Sequence, residues 1–159
     1  MKWTTFVMAL LTFGILVSCG TATPESETKR WEAAQQTLTT LGTKYPGFKP
    51  ALEVVAKESA ALWEKALEIS DEESMIEAMS ASNSAAAPSF VRKLDRMSDR
   101  MEELKDLMTE SVQAGGIDEG DKEALATAKK EAELTLGNVE SMLSSGKAAT
   151  PSEADGIVN

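Results

Sequence analysis

The chain has 159 residues, 26 acidic and 16 basic side chains, one cysteine and no histidine. That length suffices for one domain with a core. The lack of histidine excludes imidazole acid–base catalysis and His-ligated zinc or haem, the lone cysteine excludes an internal disulfide, and a net charge of -10 opposes binding to nucleic acid or anionic lipid. Ala, Glu, Lys, Leu, Met and Ser dominate and aromatic residues are few, the composition of helices.

The first element is an export signal. Met1-Lys2 begins the chain with positive charge, and residues 6–17 are apolar except for Thr12 and Gly14. A core of this size matches the roughly 7–15 apolar residues of a signal peptide and falls short of the about 20 a spanning helix needs. Leu16-Val17-Ser18-Cys19 follows. It resembles the lipobox of bacterial lipoproteins, in which a leucine and two small or medium residues precede a cysteine. The resemblance implies cleavage between Ser18 and Cys19, a diacylglycerol on the Cys19 thiol, and commonly a further acyl chain, such as palmitate, on the new amino group. It covers the first twenty residues only.

The alternative is an ordinary secretory signal cleaved nearby, which would leave Cys19 a free thiol. An unpaired thiol is an odd thing to export, which favours lipidation. Each buried methylene adds about 0.8 kcal/mol and one acyl chain holds only marginally, so two or three chains make attachment effectively permanent. Gly20 follows Cys19. Among Gram-negative lipoproteins an Asp at that place commonly retains the protein in the inner membrane. Its absence points to the outer membrane in a host that has one. Removal of residues 1–18 takes away Lys2 and no acid, leaving 26 acidic and 15 basic residues, a net charge of -11.

Residues 19–23 form a lipidated tether. Thr23-Pro24-Glu25 is a helix start, with a capping hydroxyl, proline at the first helical position and an acid near the positive end of the dipole. Trp31, Ala34, Leu38 and Leu41 share a helical face, and Gly42 and Pro46 end the helix. Trp31 is the first firm core residue, so the turns before it are expected to fray and lengthen the tether. Tyr45-Pro46-Gly47-Phe48-Lys49-Pro50 is a turn opening a second helix. There Phe48, Leu52, Val55, Ser59, Leu62, Ala66 and Ile69 alternate by fours and threes, a heptad seam. Trp63 lies beside that seam and widens it.

Ser70-Asp71-Glu72-Glu73 reads as a capping box, either starting a short third helix or marking a kink in a longer one. Residues 80–88, rich in Ser and Ala and closed by Pro88, read as the internal linker. A long amphipathic helix then runs from about Ser89 to Ala114, with Phe90, Leu94, Met97, Met101, Leu104 and Met108 inward and mixed charge outward. Gly115-Gly116 ends it. Asp118 caps the last helix, where Leu125, Ala128, Ala132, Leu136, Val139 and Leu143 recur at helical spacing. Residues 147–159 show no period and read as a disordered tail.

No stretch alternates as a strand does. Short connections between amphipathic helices predict an all-α, up-and-down antiparallel bundle over residues 24–146, built of four main helices plus the short 70–82 segment.

Three groups invite a chemical reading. Met75, Met79, Met97, Met101, Met108 and Met142 are soft ligands suited to Cu(I), but three of them occupy seam positions where Met fills a core. Asp118-Glu119-Gly120-Asp121 lacks the spacing of a calcium loop and reads as the acidic first turn of a helix. Asp71-Glu72-Glu73 and Glu102-Glu103 lie at a helix start and on an outer face, where they cannot confront each other across a glycosidic bond. Neither a nucleophile elbow nor a phosphate-cradling glycine loop occurs. The expectation is a non-catalytic, cofactor-free helical protein, lipid-anchored through Cys19. It would present an acidic surface to a protein partner near the membrane, as adaptor, assembly factor or inhibitor. The alternative is a bundle that binds a soft metal or small ligand in the periplasm.

Overall fold

A computed structural model describes residues 22–113 and 119–159. Among them all regular structure is helical, with no strand: α1 (Pro24–Lys44), a 3-10 turn (Pro46–Phe48), α2 (Lys49–Leu67), α3 (Glu72–Ala86), α4 (Ser89–Gln113), α5 (Glu119–Ser145) and α6 (Pro151–Val158). The expected signal segment 1–18, Cys19, and Asp118 lie outside the described residues.

The start of α1 is as the sequence predicts. The Thr23 hydroxyl accepts the Ser26 backbone N–H at 3.2 Å, and the Ser26 hydroxyl accepts the Thr23 N–H at 3.0 Å, with Pro24 in the first helical position. The turns before Trp31, however, are not loose. Glu27 is 1% exposed and holds α1 to α3, which corrects the expectation of fraying. No apolar period announces this anchor, because a carboxylate makes it.

Helices α1, α2 and α3 pack on one another, most extensively α2 on α3. Small residues permit that approach. Ser59 and Ala66 of α2 and Ser82 and Ala86 of α3 are all buried. The Ser82 hydroxyl donates to the Ser59 carbonyl at 2.8 Å, and the Ser59 hydroxyl donates to the Val55 carbonyl of its own helix at 2.7 Å. The 80–88 stretch is therefore no linker. Most of it is the second half of α3, and its low-complexity Ser and Ala residues are what let two backbones come near. Nor is α3 a continuation of α2: Asp71 caps it separately, its carboxylate accepting the Ser74 N–H at 2.9 Å. The cap is one residue later than the expected Ser70.

Two apolar clusters form. The larger centres on Phe48 in the turn and gathers Leu41, Leu52, Phe90, Leu94 and Leu143, joining α1, α2, α4 and α5. Full burial of each such side chain contributes about 1.5–3 kcal/mol. The smaller holds Trp63, Ala66 and Met79, with Trp31 against it. The heptad seam of α2 holds at Phe48, Leu52, Val55, Ser59 and Ala66 and fails at Leu62. Leu62 is 42% exposed while Trp63 beside it is buried, because Trp63 stacks on Trp31.

Residues 147–159 are ordered, which corrects the expected disordered tail. The Ala148 N–H donates to the Gly47 carbonyl at 2.9 Å. The Thr150 hydroxyl accepts the Glu153 N–H at 3.3 Å, Glu153 reaches back to the N–H groups of Thr150 and Ala149, and Pro151 opens α6. Ala148 and Ala154 are buried, with α6 packed against α4 and α2. The capping signal stands in Thr150-Pro151-Ser152-Glu153, but eight helical residues carry too few apolar positions to show a period.

Candidate interaction surface

The candidate residues fall into separate places. Cys19, the expected lipid-attachment residue, is outside the described residues, and so is Asp118. Met79 is buried beside Trp63, Met101 lies in the larger cluster with Met97 and Met108 against it, and Met142 is 37% exposed. Met75, Met79, Met97, Met101 and Met108 are thus divided between the two clusters as packing, and Met142 is at the surface. Asp71 is engaged as a cap, and its pKa is held below the ordinary carboxylate value by hydrogen bonds from the Ser74 hydroxyl and then the Ser74 N–H. Glu103 pairs with Arg100 of its own helix at 3.0 Å, and Glu102 pairs with Lys44 of α1. Among the described residues no three His, Cys, Asp or Glu side chains gather as a metal site.

Lys44 ties α1 to α4. Its ammonium donates to the Ser98 hydroxyl at 2.5 Å, pairs with Glu102, and stands 5.9 Å from the Tyr45 ring centre. Asp95 lies near it. Burial, then the neighbouring Asp99, push the Asp95 carboxyl above its ordinary value, against the pull of Lys44. Two helices are clamped here by one cation.

A groove of about 520 Å³ runs between α1 and α2. Leu38, Gly42, Leu52 and Ala56 line it, and Gln35 and Lys49 edge it. Its hydroxyls are spent locally: Thr39 donates to the Gln35 carbonyl at 2.9 Å and Thr43 to the Thr39 carbonyl at 3.0 Å. The Lys49 ammonium faces Glu53 at 3.8 Å. The Gln35 amide nitrogen is buried with no partner. One amide donor over an apolar floor can seat a small apolar group bearing an acceptor, but it offers no proton to transfer.

Among the described residues, four of the six exposed large apolar side chains, Leu104, Leu125, Leu134 and Met142, are on α4 and α5. Their proximal parts are anchored by Phe90, Leu94, Met101, Leu136 and Leu143, all buried. The α5 seam opens toward the start of that helix, and the α4 seam is exposed at Leu104, between buried Met101 and half-buried Met108. Leu104 is 42% and Leu125 is 37% exposed, and Leu134 on another face of α5 is 60% exposed. Lys105 and Glu140 bridge the two helices at 3.1 Å. An amphipathic pair with only its root buried leaves apolar side chains for another surface to cover.

Two features carry no periodic signal in the sequence. One is the buried Glu27–Asn83 contact; the other is the stacking of Trp31 on Trp63. The clue to the first was a lone Asn within the Ser and Ala of α3. Among the described residues no helix is long and apolar enough to cross a membrane. No family model, curated protein or solved structure matches the chain.

Proposed function

We propose that this protein is a lipid-anchored envelope protein whose helical body, an up-and-down bundle at its core, binds another protein without catalysing a reaction. Cys19 fastens it to the membrane, the outer membrane in a Gram-negative host. Helices α4 and α5 are the binding arm. The observation that carries the reading is the exposure of Leu104 and Leu125 on helix faces whose other members, Met101 and Leu136, are buried. The acidic body adds solubility and steers basic partners inward.

The first turn of α1 is pinned at Glu27, so the reach from the bilayer is set by residues 20–23. At about 3.5 Å per residue that is near 14 Å, and the partner must lie close to the membrane. Two experiments test the reading. Cys19→Ala should release the protein from the membrane fraction; retention there sinks the anchor. A photo-crosslinking residue at Leu125 should trap a protein in cells, whereas the same residue at Glu53 should not. Equal yields would remove the assignment of α4–α5 as the arm.

A second reading, a small-ligand site, is favoured by one observation only, the unpartnered Gln35 amide over the α1–α2 groove. Ligand-observed NMR with a library of small apolar amides and acids tests it. Signals that persist in Ala56→Trp, which fills the groove, would exclude it.

A further inference from the structure

Helix α4 carries its charge in a polarised order. Arg92, Arg96, Asp99, Glu103 and Asp106 recur by alternating fours and threes, so they form one stripe along the helix, and all five are exposed. Over residues 89–100 the helix has Arg92, Lys93, Arg96 and Arg100 against Asp95 and Asp99, a net +2. Over residues 101–113 it has Glu102, Glu103, Asp106 and Glu110 against Lys105, a net -3. This order opposes the helix dipole, which favours acids at the start and bases at the end. The helix has no acid in its first turn and no base in its last. Local helix stability therefore does not account for it. Nor does the fold, since Arg92, Arg96 and Asp106 have no ion-pair partner among the described residues.

A helix that is basic in one half and acidic in the other complements itself when reversed. We propose that the charged stripe of α4 docks antiparallel against the same stripe of a second copy of this chain, about a two-fold axis at the level of Met101, which is buried on the opposite face. Arg96 and Asp106 lie five residues on either side of Met101, so reversal sets each arginine opposite an aspartate of the other copy. Arg100 and Glu103 share one flank of the stripe, one and two residues on either side of that level, and meet across the axis in the same way. The single like-charged encounter, Asp99 with Glu103, is flanked by Arg100 from both chains. A two-fold pairing makes every contact twice. The two bodies repel through their net charge, but the screening length is about 8 Å at physiological ionic strength. The facing pairs then outweigh charges on the far sides. Copies confined to one membrane also meet at a raised effective concentration.

The inference rests on reading α4–α5 as the interaction arm, and its test separates the two. Two full-length chains with different tags are co-expressed, extracted in mild detergent and pulled down through one tag. Wild-type chains should co-purify. R96E/R100E should lose at least tenfold of its self-capture, and so should E103K/D106K, because each variant sets like charge against like. Mixing one variant with the other restores attraction at the 96–106 and 100–103 positions and should recover capture. A wild-type chain that does not capture itself, or variants that capture themselves undiminished, overturn the proposal. Disulfide trapping in the otherwise unaltered chain is a second measure. R96C in one copy should cross-link to D106C in the other and not to R96C, since like positions lie ten residues apart in register, about 15 Å along the axis. Absence of the R96C–D106C cross-link also overturns it. If self-capture fails while the Leu125 photo-crosslinker traps a different protein, the arm stands and self-pairing falls.

Discussion

The indole rings of Trp31 and Trp63 lie face to face, their centroids 4.9 Å apart and their planes 5° from parallel. Flat rings in contact are about 3.5 Å apart, so the rings are slid past each other, the arrangement their quadrupoles favour. The stack joins α1 to the end of α2 and covers Met79 and Ala66. Trp63→Ala should cost about 3–5 kcal/mol, and Trp31→Ala less, as Trp31 is only partly buried. The double variant should show a coupling of about 0.5–1.5 kcal/mol. Chemical denaturation of the four proteins measures it, and strictly additive losses would show that the rings pack without mutual attraction.

The Glu27 carboxylate is buried and accepts from the Asn83 amide at 2.7 Å and the Arg30 guanidinium at 2.9 Å. Asn83 also donates to the Glu27 carbonyl at 3.0 Å. Asn83→Ala removes both bonds from α3 and should destabilise by about 1–3 kcal/mol. Asn83→Asp should cost more, because it brings a second carboxylate to the first. A urea midpoint unchanged in Asn83→Ala would mean that the contact holds nothing.

Gly47 has no room for a side chain. A Cβ there would fall 1.6 Å from the Gly146 carbonyl oxygen, a backbone atom that cannot swing away. Gly47→Ala should therefore cost about 1–3 kcal/mol and pull the 146–148 segment from the turn. Hydrogen exchange at the Ala148 amide, which donates to Gly47, should accelerate more than exchange within α3. Uniform acceleration would indicate global loss and not local undocking.

Tyr45 is 2% exposed and its hydroxyl has no hydrogen-bond partner. An unpaired buried hydroxyl is a cost that phenylalanine avoids at nearly the same shape. Tyr45→Phe should leave the melting temperature unchanged or raise it, by up to about 1 kcal/mol in stability. A clear fall would reveal a partner for the hydroxyl.

Asp95 has a folded pKa above its ordinary 3.8, through burial first and Asp99 second. The folded state thus holds that proton more tightly than the unfolded chain. Its contribution is fully present below the unfolded pKa and is lost as pH rises through the folded one. Asp95→Asn should be more stable than the parent at pH 7, with the difference shrinking as the pH falls through the carboxylate range. Thermal melts from pH 3 to pH 7 check this; a constant difference would assign the effect to something other than titration.

Helical periodicity was legible wherever it was long. Thr23-Pro24 located the start of α1, and Phe90, Leu94, Met97 and Met101 located the inner face of α4. It misled where burial did not depend on apolar spacing. Leu62 fits the seam of α2 better than Trp63 does, yet Trp63 is inside because Trp31 is there to meet it. The Ser and Ala of residues 80–88 look like a linker by composition. In the folded chain the same smallness brings Ser82 within a hydrogen bond of Ser59.

The chain's own order of residues was enough to establish helices, their caps at Thr23 and Asp71 or its neighbour, and the exclusion of histidine chemistry. It also carries the lipobox resemblance that proposes Cys19 as an anchor. Such features are local: each depends on residues within a turn or two of one another. The tertiary structure alone decided that Glu27 is buried against Asn83, that residues 147–159 fold back on the Gly47 turn, and that Leu104 and Leu125 stay open. Those outcomes depend on which distant segment arrives as a neighbour, and spacing along one helix does not encode that.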